Sequence, residues 1–465
     1  MRVFLALVFS VFAAAAARAG SGSFDTAFNG TGVRIVDFSA FATGYSVRDA
    51  AMAVDAQGRA TLGTVVITDT TYALGLARVL KNGRLDPTFG TQGVAYVPLP
   101  QLERVIALKL DASGRAYVAM ILREPGGFSW RTCRLTAAGG IDATFFGANC
   151  ANVVPTATAL MTDMIVTDNG NPWMIGSATV NVAGTPRSGL AISQVNAATS
   201  TVHTEVMALP TGYLYTARAI ADVGESIVVA GSWFGNGGAD TDVTTYYVTR
   251  SGSNPFFFTS GAVVPFNRGG TNDDGGACLA REPNGLMLVG ANVAQAGGMA
   301  WGTARLDLNL ALDTTYASNG LTVDYIGNVL DYGRDIRLSA CALGPDGVLN
   351  LAGRYTFTPV GAPNVMTAMA VYRMKNGARD IAFGGAGAAP GVAVDPPLAM
   401  PGSALHYYRP QPAPGPRYDT AEQIHATADG RLVVSGVSST DNGATSGVVV
   451  ARLHGDSLFG DGFSD

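Results

Sequence analysis

One signature recurs along this chain and restricts its fold more than any other feature. It is a polar turn containing glycine, followed by an apolar strand that ends near a small residue. The copies are AVDAQGRATLG (53–63), LKLDASGRAYVA (108–119), IVTDNGNPWMIG (165–176), IADVGESIVVAG (220–231), LAREPNGLMLVG (279–290), ALGPDGVLNLAG (342–353) and HATADGRLVVSG (425–436). Their turn glycines, Gly58, Gly114, Gly170, Gly224, Gly285, Gly347 and Gly430, are 56, 56, 54, 61, 62 and 83 residues apart. A period of this size marks a repeated supersecondary unit that cannot bury both its faces alone.

A second signature alternates with the first. Its fullest form is ARVLKNGRLDPTFGTQGV (77–94). Relatives are FDTAFNGTGV (24–33), RLTAAGGIDATFFG (134–147), ARLDLNLALDTTYASNGL (304–321) and VYRMKNGARDIAFGGAG (371–387), with eroded copies around 194–206 and 247–263. Gly83 supplies the positive φ of a turn, and Asp86 is placed to accept bonds from nearby amides. Phe89 reads as an apolar plug. The whole stretch is expected to be the hinge between one unit and the next.

Each unit reads as four short strands, about 33–38, 48–54, 59–67 and 74–80 in the first. Runs such as SIVVAG (226–231) and GVVVARL (447–453) are apolar without alternation, which fits sheets covered on both faces. Helix signals are almost absent, and no polar terminal caps of an open stack are visible. The expected fold is therefore all-β: a single seven-bladed β-propeller of four-stranded antiparallel blades, covering 20–455. Whole blades in sequence are favoured, and an exchanged closing strand is the alternative.

The alternation of the two signatures resembles the delta-60 repeat family of bacterial secreted and surface proteins. The resemblance spans about 24–453. It implies a propeller-like β fold and transfers no catalytic residue.

The N-terminus supplies an address. Arg2 precedes an apolar run (3–17), and Ala17-Arg18-Ala19 is a small-x-small site, so residues 1–19 read as a secretory signal cleaved after Ala19. No later segment is long and apolar enough to span a bilayer. A secreted, periplasmic or surface-exposed monomer is expected. Of the three ways to pair four cysteines, Cys133–Cys150 and Cys278–Cys341 are favoured, because the first pair flanks one copy of the second signature and the second occupies near-equivalent positions in successive units. The net charge of −5 and only three lysines, Lys81, Lys109 and Lys375, argue against a nucleic-acid partner.

Strand order places the glycine turns and the second signature at one end of the ring. More irregular loops (39–47, 124–130, 177–188, 232–244, 292–301, 355–366 and 437–446) share the other, which is the expected binding face. The widest spacing contains an insertion, about 396–420, with His406, Tyr407, Tyr408, Arg409 and Tyr418. These residues form either an aromatic lid for a sugar or peptide, or a proline-stiffened cover on a blade edge. Asp240, Asp242, Asp273 and Asp274 lack the calcium-loop pattern and read as solvated turns. No metal or other cofactor is expected. His203, His406, His425 and His454 are dispersed, and neither HExxH nor G-x-S-x-G occurs. No catalytic residue is nominated.

The favoured function is non-catalytic binding of an extracellular glycan, peptide or envelope component. The alternatives are a structural or adhesive surface protein, or a polysaccharide-acting hydrolase or lyase that uses the channel mouth. The tail 456–465 reads either as a truncated second signature or as a sorting signal.

Overall fold

The computed structural model describes residues 22–455 except 42, 148–149, 209–213, 225, 235–240, 251–255, 267–273, 296–297, 318, 325–334, 358–365, 381–382, 384–402, 407–416 and 441–444. The signal segment 1–19 and the tail 456–465 lie outside the described residues. Among the described residues the chain is all-β apart from a single turn of 3-10 helix at Phe145–Gly147.

After β1 (Val33–Val36), five four-stranded antiparallel sheets follow in chain order. Sheet one is β2 (Ser46–Val54), β3 (Ala60–Ile67), β4 (Tyr72–Val79) and β5 (Val94–Pro98). Sheet two is β6 (Leu102–Leu110), β7 (Ala116–Glu124), β8 (Gly127–Arg134) and β9 (Cys150–Val153). Sheet three is β10 (Leu160–Val166), β11 (Pro172–Val182), β12 (Thr185–Asn196) and β13 (Thr201–Ala208). Sheet four is β14 (Leu214–Asp222), β15 (Ser226–Phe234), β16 (Thr241–Arg250) and β17 (Phe256–Val264). Sheet five is β18 (Gly275–Arg281), β19 (Met287–Gln295), β20 (Gly298–Leu306) and β21 (Leu321–Asp324).

The last sheet has ten strands. It comprises β22 (Asp335–Leu343), β23 (Leu349–Phe357), β24 (Met366–Lys375), β25 (Ala378–Arg379), β26 (Ser403–His406), β27 (Arg417–Asp419), β28 (Gln423–Ala426), β29 (Leu432–Thr440), β30 (Thr445–Leu453) and β1. Two antiparallel sets are visible within it, β22-β23-β24-β26 and β28-β29-β30-β1. The short strand β27 joins them, meeting β24 at one parallel bridge (Thr367–Tyr418) and β29 antiparallel.

The first strand of each sheet is innermost. β28, β2, β6, β10, β14, β18 and β22 pack each against the next, and β22 returns to β28. The sheets are thus the blades of a β-propeller around a central channel. Neighbouring sheets bury each other's faces, which explains the unbroken apolar runs. In β3, Leu62 and Val66 pack with Val433, Val448 and Val450 on one side, while Val65 packs with Val105, Val118 and Met120 on the other.

The strand register differs from the sequence expectation by one. Val33–Val36 is not the first strand of sheet one; it pairs antiparallel with β30 as the outer strand of the last set. The exchanged closing strand, the less favoured alternative, is therefore the one observed. Ala77–Val94 is correspondingly not a hinge between units but the corner joining the third and fourth strands of one sheet. The pattern misleads because the corner also touches the next sheet, so its sequence carries both relationships.

That corner is built five times. Arg78, Arg134, Arg305, Arg373 and Arg452 each sit on a third strand opposite an aspartate of the following corner. The nearest approaches to Asp86, Asp142, Asp313, Asp380 and Asp25 are 2.7, 2.7, 2.8, 3.5 and 2.7 Å. Each guanidinium also lies over an aromatic plug, Phe89, Phe145, Tyr316, Phe383 or Phe28 respectively, 4.8 to 5.5 Å from the ring centre. The corner then grips the turn of the next sheet. Arg78 Nη1 donates to the Ala137 carbonyl, Arg452 Nη1 to that of Lys81, and the Gly90 amide to that of Ala138. Gly139 has φ of 85° and lies against Phe89 so closely that a Cβ would stand 2.7 Å from the ring; only glycine fits.

Both favoured disulfides are formed. Cys133–Cys150 joins directly opposed residues of β8 and β9, and Cys278–Cys341 ties innermost strands β18 and β22 of adjacent sheets together.

Candidate functional site at the channel wall

The channel wall is made by the innermost strands, and their irregularities decide what faces it. In six of them the ladder slips: between Arg48 and Ala51 in β2, at both Glu103 and Ile106 in β6, and at Thr162 in β10, Arg218 in β14, Ala277 in β18 and Ser339 in β22. Such bulges re-aim a side chain and often adjoin functional sites. Toward the end away from the glycine turns, a second layer contains Arg48, Arg104, Leu160, Thr216, Gly275 and Arg337.

On the side of β28, β2 and β6, charges on this wall are engaged in joining sheets. Asp49 is buried at φ of 68°; it accepts Arg104 Nε at 2.7 Å and the Val105 amide at 2.9 Å. Arg48 donates back to the Glu103 carbonyl. Glu422, one residue before β28, accepts the Ala50 amide at 2.7 Å. Further round, Asp163 accepts the Ile220 amide of β14 at 3.2 Å, with Lys109 Nζ 3.8 Å from its other oxygen.

Burial dominates the titration of these acids. It raises Asp49 against the pull of Arg104, and raises Asp163 against Lys109. Glu422 is pushed up to about 7, by burial first and by the neighbouring Asp49 charge second.

The side of β14, β18 and β22 carries arginines on its wall. Arg218 and Arg337 are exposed on innermost strands and therefore face the channel. Partial desolvation by the surrounding wall, together with the Arg337 charge, pulls the Arg218 guanidinium below its ordinary value. Between them β18 presents only Gly275 and Ala277, while Thr216 and exposed Ser339 add hydroxyls. At the rim of the same end Phe41, 37% exposed, stacks flat on Tyr96 with ring centres 5.6 Å apart, and Tyr72 is 39% exposed.

The opposite end has two hollows. One, of about 360 Å³, lies between the turns before β3 and β29 and includes Gln57, Lys81, His425 and Asp429; the other, of about 700 Å³, includes Arg281, Glu282, Pro345 and Thr427. Lys81 and Asp429 already bridge each other at 3.0 Å.

The insertion nominated from the sequence is only partly a loop. His406 ends β26, whose backbone pairs with β24, and half-buried Tyr418 lies on β27. Tyr407, Tyr408 and Arg409 lie outside the described residues, so the five are not brought together as a lid. Several expected irregular loops are in fact paired hairpins, as at Glu124–Gly127 and Val182–Thr185. Asp274 is buried and accepts the Ala294 amide at 3.0 Å, and Asp242 lies within β16 opposite Trp233, so neither is a solvated turn. Asp240 and Asp273 lie outside the described residues. Among the described residues, no group of three or more His, Cys, Asp or Glu side chains is placed to hold a metal. Sequence reasoning missed Arg218, Arg337 and Glu422; the 56-residue step from Arg48 to Arg104 was the one visible hint that this layer recurs.

No family model and no curated protein matches the sequence. Solved structures do resemble the fold. A polysaccharide lyase of family PL25, an ulvan lyase bound to -[GlcA(1-4)Rha3S]-, aligns with a TM-score of 0.47 at 10% identity, over 91% of this chain and 96% of its own. The β-propeller domain of the trilobed protease from Pyrococcus furiosus aligns with a TM-score of 0.43 at 7% identity, over 91% and 100%. A leech intramolecular trans-sialidase aligns with a TM-score of 0.37 at 10% identity, over 87% and 67%.

Proposed function

We propose that this chain is an exported, monomeric seven-bladed β-propeller of the delta-60 type that binds a glycan at the channel end away from the glycine turns. In this reading the two sets within the ten-stranded sheet are the sixth and seventh blades, fused by β27. The observation that carries the binding reading is the composition of that end. Its wall offers guanidinium and hydroxyl groups from Arg218, Arg337, Thr216 and Ser339, and its rim offers the exposed faces of Phe41 and Tyr72. Polar groups that pair with hydroxyls on one side of the channel, and part-exposed rings at the rim by sheet one, are surfaces that suit a saccharide. Calorimetric titration of the secreted chain with neutral and acidic oligosaccharides tests this. Binding that is weakened about fivefold by Phe41→Ala supports it, since stacking contributes roughly 1 kcal/mol. No heat with any saccharide removes it.

A second reading, a polysaccharide hydrolase or lyase, is favoured by one observation. Glu422 carries a carboxyl raised to about 7, suited to giving or taking a proton at neutral pH. Product release from polysaccharides, abolished in Glu422→Gln, would establish it; turnover unaffected by that change would exclude Glu422.

A further inference from the structure

The smaller hollow at the glycine-turn end lies on the seam that closes the ring, and three distant parts of the chain meet there. Phe28 comes from the segment before β1, Lys81 from the turn after β4, and His425 from β28. The hollow, of about 360 Å³, therefore exists only in the closed ring. Its floor is apolar: Phe28, Val54, Ala60 and Val433 belong to one buried cluster shared by sheet one and the last sheet. The volume is at the small end of the range for ligand pockets and suits one ring-sized molecule.

The polar groups around that floor differ in how far they are already engaged. Asp55 is bound to Arg59 at 2.6 Å, and Arg452 to Asp25 at 2.7 Å and to the Lys81 carbonyl. Lys81 Nζ meets Asp429 Oδ2 at 3.0 Å; Asp429 also accepts Thr427 Oγ1 and, at 3.2 Å, Arg431 Nη1. Each charge that lines the hollow thus has a counter-charge, so the site does not call for a charged ligand. His425 is not engaged. Its ring is half-buried opposite Val433 in the ladder, and among the described residues no side-chain hydrogen bond reaches it. Burial holds the imidazole below its ordinary value, so at pH 7 it is neutral, with one N–H to donate and one nitrogen to accept. A half-buried polar group of this kind calls for a partner.

A pyranose ring answers all three features. It has an apolar C–H face for the floor, hydroxyls that both donate and accept for His425, and adjacent hydroxyls for the Lys81–Asp429 pair. We propose that this hollow binds one neutral monosaccharide unit, with its C–H face on Val54 and Val433 and its hydroxyls on His425, Lys81 and Asp429. The site is at the opposite end of the ring from Phe41 and does not rest on the binding reading made there. The test titrates the full chain with the methyl glycosides of glucose, galactose and mannose, and with glycerol, following the His425 ring resonances by NMR and the melting temperature. At least one glycoside is expected to move those resonances and raise the melting temperature, because a ligand of the closed ring stabilises it. His425→Ala and Lys81→Met, read by the melting shift, should each weaken binding about tenfold. Ala56→Trp fills the mouth from an exposed position. It should abolish glycoside binding while melting like the wild type and keeping any oligosaccharide binding at the channel end.

If no glycoside moves the resonances or the melting temperature, the proposal fails and the channel-end reading stands. Binding that survives in Ala56→Trp with unchanged affinity would lie elsewhere and overturn it equally. Glycerol acting as strongly as the glycosides would reduce the hollow to a site for any polyol and sink the pyranose assignment. Glycoside binding here without any oligosaccharide binding at the channel end would sustain this site and sink the other reading.

Discussion

The ring contains two kinds of sheet at its glycine-turn end. Sheets one, two and five, and both sets of the ten-stranded sheet, have the arginine–aspartate–aromatic corner. In sheets three and four the equivalent third-strand positions are Gln194 and Val248, as the register shows. In sheet three the connection from β12 to β13 is only 197–200, with no glycine in its turn. The corner is therefore dispensable for forming a four-stranded blade. Its contribution is to the seam between blades, since its bonds run to the next sheet's turn.

The largest expected effect tests that distinction at ring closure. Asp25 is buried and meets both Arg452 and Arg431 at 2.7 Å. Asp25→Ala leaves two cations without their partner and is expected to cost about 3–5 kcal/mol in urea unfolding. Gln194→Ala, at the corresponding place in a sheet without the corner, should cost under about 1 kcal/mol. Equal losses would erase the contrast between the two kinds of sheet.

Next come the disulfides. The Cys278–Cys341 bridge closes 63 residues and crosses between sheets, whereas Cys133–Cys150 closes 17 within one. Loop entropy gives about 4 and about 3 kcal/mol respectively. Serine replacements compared by thermal melting should follow that order, and a reversed order would show that tying sheets together is not what the longer bridge does.

The smallest effects are those of pH, and they run in opposite directions. Burial would raise Asp25, but Arg452, the Ala27 amide, Arg431 and His454 outweigh it and hold its carboxyl below the usual range. Its stabilisation is present above about pH 3.9 and is lost as pH falls through the depressed value. Asp25→Asn should remove that acid-side loss from a pH series of melts. Glu422 is raised instead, so its contribution is fullest below pH 4.5 and declines as pH climbs toward 7. Glu422→Gln should gain about 3 kcal/mol at pH 8 and nothing at pH 4, provided the amide keeps the Ala50 bond. A loss at pH 8 would mean that the ionised form is the one the wall needs.

Legibility in the sequence followed the same division. The corner was readable because its parts, Asp86, Phe89 and the turn glycines, are adjacent in the chain and repeat. Strand pairing was misread at Val33, where chain order and blade membership part company. The channel wall was barely visible. Arg218 and Arg337 come from strands of different sheets, and a single bulge residue decides whether a side chain faces water or a neighbour. No periodicity records that choice. The long insertion drew attention by its aromatic residues, yet what is described of it serves as strand: β26 completes one set and β27 bridges to the next.

The partnership of β1 with β30 has a consequence for how the molecule is made. β1 has no partner until β30, more than 400 residues later, has been made, so the ring stays unsealed through most of synthesis. The Gly22 amide meets the His454 carbonyl at 2.6 Å, which places the two ends of the described stretch side by side at the glycine-turn end. A circular permutant that joins these ends by a short linker and opens the chain at the Pro125–Gly126 hairpin would move the vulnerable seam to sheet two. The former seam would then be covalent, and sheet two would become the place where unfolding begins.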